Sequence, residues 1–298
     1  MTDSYIGRFA PSPTGPLHLG SLLTALASFL DARANNGIWR VRMEDLDPPR
    51  EMAGAADDIL RTLEQHGLLW DGEVLYQSQR HSLYEDAVQQ LLQKNQAFYC
   101  TCSRKQLQDL GANAYPGTCR GQSLMPIQEH AVRVQVEDRF ITVDDALQGA
   151  CQFNLQHDGG DIIIKRKDGL YAYHLAVVID DAAQNITHIV RGSDLLDSTP
   201  RHLHLQQLLN LPTPHYAHLP VIVNEQGQKL SKQTFAAPLP KTDPVPALFR
   251  CLQALGQQPP SALRQTGHNE LLRWSIDHWS LAKVPRGMTL LESSLPAG

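Results

Sequence analysis

Residues 8–21 read RFAPSPTGPLHLGS. The prolines and glycines keep helical turns and Cβ atoms out of the way, so backbone amides and the N-terminus of a following helix can face an anion. His18 and Gly20 stand where that helix begins and where nucleotide phosphates would be stabilised. Taken alone, such a stretch is also an ordinary tight strand-to-helix turn. The GxGxxG and GxxxxGK[ST] patterns are absent, so nicotinamide and phosphate-loop chemistries lose support. Far along the chain, KLSKQ at 229–233 sets Lys229 and Lys232 around Ser231, after a glycine-containing turn. Two lysines on a loop can fold over a triphosphate and neutralise charge moving onto a departing pyrophosphate. Alone, the segment reads as a solvated turn; the pairing of the two motifs is what informs.

A third cluster has a different chemistry. Cys100, Cys102 and Cys119 crowd one short segment and are three of five cysteines. An odd count in a chain of this length argues against a disulfide framework and for a metal or free thiols. Zinc takes four tetrahedral ligands and would organise a segment with little core of its own. No fourth cysteine is near, and three reduced cysteines are the simpler alternative. A structural role is expected, because no nearby His/Glu pair offers an open catalytic position. His202 and His204, two apart on a helical segment, share no face and predict no metal pair.

These residues need elements to hold them. Tyr5–Phe9 is short and β-prone. From Leu19 to Asn35 apolar residues recur with helical spacing, ended by Asn36-Gly37, and Trp39, Val41 and Met43 alternate with arginines as a strand does. Strand, loop, helix, strand opens a parallel α/β unit. Helical periodicity returns at Ala55–His66 and Leu83–Lys94. Segment 98–125 has little periodicity and looks like an insertion with its own organiser. Val132–Val136 and Ile162–Arg166 read as strands flanking a polar loop around Gly159-Gly160. Ala172–Ile179 and Ile186–Val190 are apolar runs bracketing Asp180-Asp181, of the kind found in doubly covered sheets. Leu203–Leu209 reads as a helix, Leu219–Val223 as a strand, and Val245–Leu255 and Asn269–Trp279 as helices.

Composition is that of an ordinary soluble globular protein. The 298 residues are 42% hydrophobic and 19% charged, with net charge −5; collagen-like, disordered and coiled-coil classes are excluded, and the charge points to no blanket polyanion binder. No apolar run approaches the ~18 residues of a spanning helix, and no secretory leader opens the sequence. A cytoplasmic protein without a membrane role is expected.

HLGS and KLSKQ together resemble the two signature motifs of class I aminoacyl-tRNA synthetases. FAPSPTGPLHLG, RMEDLDP at 42–48, YHLAVVIDD at 173–181 and VRGSDLLDSTPRH at 190–202 follow in the order of the glutamyl-tRNA synthetase branch. The resemblance implies an α/β, Rossmann-like catalytic domain formed by 1–97 and 170–235. It also implies an inserted, zinc-containing acceptor-type subdomain at 98–169 and a short C-terminal helical region at 236–298. By the same resemblance Arg8 binds the γ-carboxylate of L-glutamate, assisted by Arg191, in the bidentate manner that suits a guanidinium. Ala10 and Ser12 line the amino-acid pocket, Glu44 pairs with the α-ammonium and Tyr173 closes the far side. His18 and Gly20 hold ATP, with Lys229, Ser231 and Lys232 on the pyrophosphate side and Mg²⁺ accompanying the nucleotide. For the one structural Zn²⁺, the resemblance adds Tyr115 of YPGTC to Cys100, Cys102 and Cys119, with water or a histidine as alternatives. Val177 stands where the branch carries Asn, implying a weaker contact to glutamate.

Only 65 residues follow KLSKQ, too few for the helical domains with which the branch reads anticodons. The resemblance therefore implies a catalytic core that activates glutamate without tRNA and esterifies it to queuosine at the wobble position of tRNA(Asp). A monomer is expected. Two alternatives remain open: a truncated synthetase charging a tRNA 3′ end, and a catalytically inactive RNA-binding paralogue.

Overall fold

The expected opening unit is present in the computed structural model, which describes residues 4–109, 114–122, 129–230, 238–240 and 242–295. Strand β1 (Ile6–Phe9) leads through the Pro/Gly turn into helix α1 (Leu19–Ala34) and back to β2 (Ile38–Met43). β2 lies parallel to β1, with Ile6 opposite Ile38 and Phe9 opposite Val41. After α2 (Ala55–Gln65), the short β3 (Leu75–Tyr76) adds in parallel to β2. Leu22, Leu26 and Leu30 of α1, Trp39, Val41 and Met43 of β2, and Ile59 and Leu63 of α2 are fully buried together, the packing that the helical and alternating patterns encode.

Helix α3 (His81–Gln93) and β4 (Ala97–Cys100) bring the chain to the cysteine segment, which contains the short α4 (Arg104–Asp109). Beyond it come β5 (Ala131–Val134), β6 (Phe140–Asp145), β7 (Gly149–Asn154) and β8 (Ile162–Lys165). β4, β5 and β8 form an antiparallel sheet. β6 and β7 are a hairpin that the reading of 137–161 as a polar loop misses. The hairpin leaves the segment expected as an insert and extends a different sheet, ordered β7-β6-β10-β9. Here β9 is His188–Gly192 and β10 is His215–Leu219, joined by α6 (Thr199–Leu209).

The apolar run Ala172–Ile179, expected as a sheet segment, is the first part of helix α5 (Tyr173–Ala183). Leu175, Ala176, Val177 and Val178 are all buried, and so are Asp180 and Asp181. A helix with so long an unbroken apolar, largely buried run shows little amphipathic period, so its sequence imitates that of a buried strand. The expected strand Leu219–Val223 is split at Pro220, which offers no N–H to a ladder, into β10 and β11 (Val221–Val223). Helices α7 (Val245–Ala254) and α8 (His268–His278) pack on the α1 side of the core, and β12 (Thr289–Leu291) pairs in parallel with β11.

The parallel sheet of β1 and the mixed sheet of β9 abut: Thr187 N donates to Ile6 O at 2.9 Å, so the chain entering β9 runs beside β1. The carboxyl ends of β1 and β9 therefore open side by side, at the kind of topological switch where open α/β sheets hold ligands. Among the described residues no helix is long and apolar enough to cross a membrane.

Candidate active site

Arg8 and Arg191 are the penultimate residues of β1 and β9, 4% and 3% exposed, and both line a cavity of about 710 Å³ at the strand ends. Arg8 Nε lies 3.4 Å from Asp181 Oδ1 of α5, which also accepts from Arg42 Nη1 at 2.8 Å. Arg42 Nη2 reaches Glu44 Oε1 at 3.3 Å, and Arg42 is wholly buried. Burial pushes the Glu44 carboxyl above its ordinary range, opposed by Arg42 and then Arg8. An ammonium arriving beside it would favour the ionised form. Burial acts to raise Asp181 as well, but Arg42, and after it Arg8, hold it below the usual carboxylate range.

Ala10, Ser12, Glu44 and Tyr173 line the same cavity, and Arg191 Nη1 donates to Tyr173 Oη at 3.4 Å. The other wall carries His18, Gly20 and Lys229. His18 is the N-cap of α1: Nδ1 accepts from Ser21 N at 3.3 Å, so in the neutral ring Nε2 bears the proton. Gly20 has a steric reason. A Cβ there would lie 3.2 Å from the His18 ring and 3.7 Å from Leu230 O. Lys229 Nζ pairs with Asp194 Oδ2 at 2.5 Å. The chain on either side of 231–237 stays against the first motif, since Leu230 O approaches Gly20 and Leu239 N donates to Leu17 O at 3.1 Å. Ser231 and Lys232 lie outside the described residues.

Ser12, Thr14, Glu44 and Tyr173 also line a second cavity of about 880 Å³, so they form a shared wall. This cavity runs between Arg50, Arg133, Arg166 and Arg201, with Tyr171 and His174 beside them. Burial, then Arg201 and Arg191, push the His174 imidazole down to about 4. Val177 corrects the expectation attached to it: it is 1% exposed and lines neither cavity, whereas His174, three positions earlier on α5, does.

At the end of β4 the thiols of Cys100, Cys102 and Cys119 lie within 4.8 Å of one another. Tyr115 Oη sits 3.4 Å from Cys100 Sγ and 4.0 Å from Cys102 Sγ, while Cys102 and Cys119 sulfurs are 3.5 Å apart. Tetrahedral zinc with ordinary bond lengths sets ligands about 3.8 Å apart for two sulfurs and about 3.5 Å for sulfur and oxygen, so the four groups fit the ion. The site's desolvation opposes ionisation of Cys119, yet hydrogen bonds with the Thr101 backbone and the Tyr115 hydroxyl pull its thiol down to about 7. The Gly159-Gly160 loop fixes Tyr115: Tyr115 N donates to Gly159 O at 3.0 Å, and a Cβ on Gly160 (φ +72°) would lie 2.4 Å from Tyr115 O. Arg133 stacks over the phenol ring at 3.9 Å.

Sequence reasoning missed Arg42, Asp145, Asp181 and His218, all buried around the two arginines. Asp181 carried a signal, being acidic within an apolar run; the pairing of Asp145 with His218 depends on strand register.

Residues 6–262 match the family model for the catalytic domain of class I tRNA synthetases (E and Q). The chain is similar to the glutamyl-Q tRNA(Asp) synthetases of Ectopseudomonas mendocina, 51% identical over 99% of this chain and 100% of that protein, and of Aromatoleum aromaticum, 52% identical over 95% and 91%. Among solved structures it resembles a glutamate tRNA ligase from Elizabethkingia meningosepticum in complex with its amino acid. That likeness has a TM-score of 0.80 and 28% identity, and it covers 96% of this chain and 67% of that one.

Proposed function

This chain belongs to the class I tRNA synthetases (E and Q) through their catalytic domain, and from that membership we propose that it activates glutamate with ATP and transfers it to queuosine in the anticodon of tRNA(Asp). One observation carries the glutamate reading: two buried arginines and the part-buried Glu44 face a single cavity, which matches an amino acid with a side-chain carboxylate for the arginines and an ammonium for Glu44. Full-length similarity to glutamyl-Q tRNA(Asp) synthetases supports the acceptor.

In this reading Arg8, aided by Arg191, takes the γ-carboxylate, Glu44 takes the ammonium, Ala10 and Ser12 form the pocket side and Tyr173 caps it. The α-carboxylate is ionised at neutral pH, so its oxygen attacks the α-phosphorus of ATP without a general base. The bond from that phosphorus to the leaving oxygen breaks, yielding the mixed anhydride and pyrophosphate. His18, the N-terminus of α1 and Lys229 stabilise charge on the phosphates, with Gly20 leaving room for the nucleotide and Ser231 and Lys232 completing the loop side. Mg²⁺, bound with ATP, supplies further charge neutralisation there. A diol hydroxyl of the modified base then attacks the anhydride carbonyl and releases AMP. The larger cavity, sharing a wall with the first and rimmed by arginines, suits an unstacked nucleoside and its flanking phosphates.

The test is glutamate-dependent ATP–pyrophosphate exchange in the absence of tRNA, followed by transfer to tRNA(Asp) with and without queuosine. Exchange without tRNA and transfer only to the modified tRNA are expected. Charging of a periodate-sensitive 3′ end instead would replace the reading, and no exchange under any condition would leave a binding protein.

Cys100, Cys102, Cys119 and Tyr115 would hold one structural zinc, tying β4 to the 114–120 turn. The purified protein is expected to contain about one zinc per chain. Cys102→Ser should lose it and lower Tm by about 5–10 °C, as metal analysis and calorimetry would read.

A further inference from the structure

Three adjacent strands each contribute one member to a buried line of polar groups. In the parallel register of β9 and β10, His218 is the direct partner of Arg191, and β6 brings Asp145 against β10 on its other edge. Arg191 Nε donates to His218 Nε2 at 3.0 Å, and His218 Nδ1 lies 2.6 Å from Asp145 Oδ2. Both the His218 and Asp145 side chains are 0% exposed. Arg191 Nε always bears a proton, so Nε2 must accept and the ring proton must sit on Nδ1, donated to Asp145. We propose that Asp145 and His218 are positioning residues for glutamate recognition: Asp145 fixes the His218 tautomer, and His218 in turn aims the Arg191 guanidinium into the amino-acid cavity. The inference rests on the reading of Arg191 as a glutamate-binding residue.

The remaining contacts explain why the aim depends on His218. Arg191 Nη2 is shared among Thr199 Oγ1 at 2.8 Å, Leu195 O at 3.2 Å and His202 Nδ1 at 3.4 Å, while Nη1 faces Tyr173 Oη and the cavity. Nε is the pivot between those two arms, and it donates to His218. Burial, more than any neighbour, holds His218 below the ordinary imidazole range, so the ring stays neutral and adds no positive charge beside the guanidinium. Asp145 is held in one orientation. Its Oδ1 accepts from Leu147 N at 2.9 Å and Gln148 N at 2.8 Å, and His218 N lies 3.2 Å from Oδ1 and 3.1 Å from Oδ2. An amide nitrogen at the Oδ1 position would face the two short donors Leu147 N and Gln148 N, whereas at the Oδ2 position it meets only the longer, shared His218 N contact. In Asp145→Asn it therefore takes the Oδ2 position and donates to His218 Nδ1. The ring proton then moves to Nε2, where it meets Arg191 Nε–H at 3.0 Å, donor against donor, and turns the ring toward Thr199 Oγ1 at 3.1 Å instead. The same tautomer logic operates in catalytic triads, here applied to a binding arginine.

Asp145→Asn is expected to raise KM for glutamate in ATP–pyrophosphate exchange about tenfold or more, with KM for ATP changed less than about twofold. Nitrogen-15 spectra should show the His218 proton moving from Nδ1 to Nε2. His218→Phe should raise the glutamate KM similarly, and His218→Gln, whose side-chain oxygen can still accept from Arg191, should recover at least about threefold of that loss. A parental glutamate KM in Asp145→Asn, or equal KM values in the Phe and Gln variants, overturns the proposal; the two comparisons are independent, so one variant failing to fold leaves the other decisive. Arg191→Ala separates the two layers. A parental glutamate KM there would overturn the role of Arg191 and this proposal with it, whereas a raised KM beside an unaffected Asp145→Asn would overturn this proposal alone.

Discussion

Replacing Arg8 with leucine is expected to lower kcat/KM for glutamate in ATP–pyrophosphate exchange by about a thousandfold, roughly 4 kcal/mol, with KM for ATP changed less than about threefold. The side chain is 5% exposed and held at Asp181, so its orientation is set before substrate arrives and little ordering entropy remains to be lost. In the proposed function a charge-assisted, bidentate contact to the γ-carboxylate would disappear, and the substrate carboxylate would meet leucine where the arginine is now buried. Arg8→Lys keeps the charge but not the fork and should recover only part of the loss. The fold should survive, because Asp181 retains Arg42 at 2.8 Å.

Asp181→Ala is expected to have the opposite profile, destabilising the whole protein by about 3–5 kcal/mol. It would leave Arg42, fully buried, and Arg8 without the carboxylate that lies between them. Gln184 Oε1, which accepts from Arg42 Nη1 at 2.9 Å, and the partial contact to Glu44 do not replace that charge. The pH dependence has a definite sign. Asp181 is held below the ordinary range in the folded state, so its contribution is complete above the unfolded value of ~3.9 and is lost as pH falls through the depressed folded value. Urea denaturation at pH 7 should show the full deficit, and the gap to the parent protein should narrow in acid below about pH 4. An unchanged midpoint at pH 7 would refute the assignment.

The two substitutions mark how far the sequence was legible. Arg8, His18, Glu44, Tyr173, Arg191 and Lys229 stand out because they sit in ordered motifs, and they line one cavity. What holds them was harder to read. Helix α5 buries the consecutive run Leu175–Val178 together with Asp180 and Asp181, so the 3.6-residue period that betrays α1 and α2 is blurred, and its segment passes for sheet. The β6–β7 hairpin alternates only weakly, with Phe140 exposed and Asp145 buried, against the usual rule that an apolar residue marks the inner face. Asp145, His218 and Arg191 share no motif. Their meeting is a product of register between three strands, which pattern reading along one chain does not reach.

Strand β12 carries a consequence for biosynthesis. Val221 and Ile222 form part of the cavity wall, yet their strand is completed by Thr289–Leu291, and Gln148 Nε2 and Ser193 Oγ donate to Gly287 O and Met288 O. A nascent polypeptide still threaded in the ribosome would thus display both arginines and His18 with one strand of the cavity wall left unpaired. In the proposed function, adenylate synthesis is expected to follow delivery of residues 287–291, and a chain truncated before residue 287 should show reduced ATP–pyrophosphate exchange.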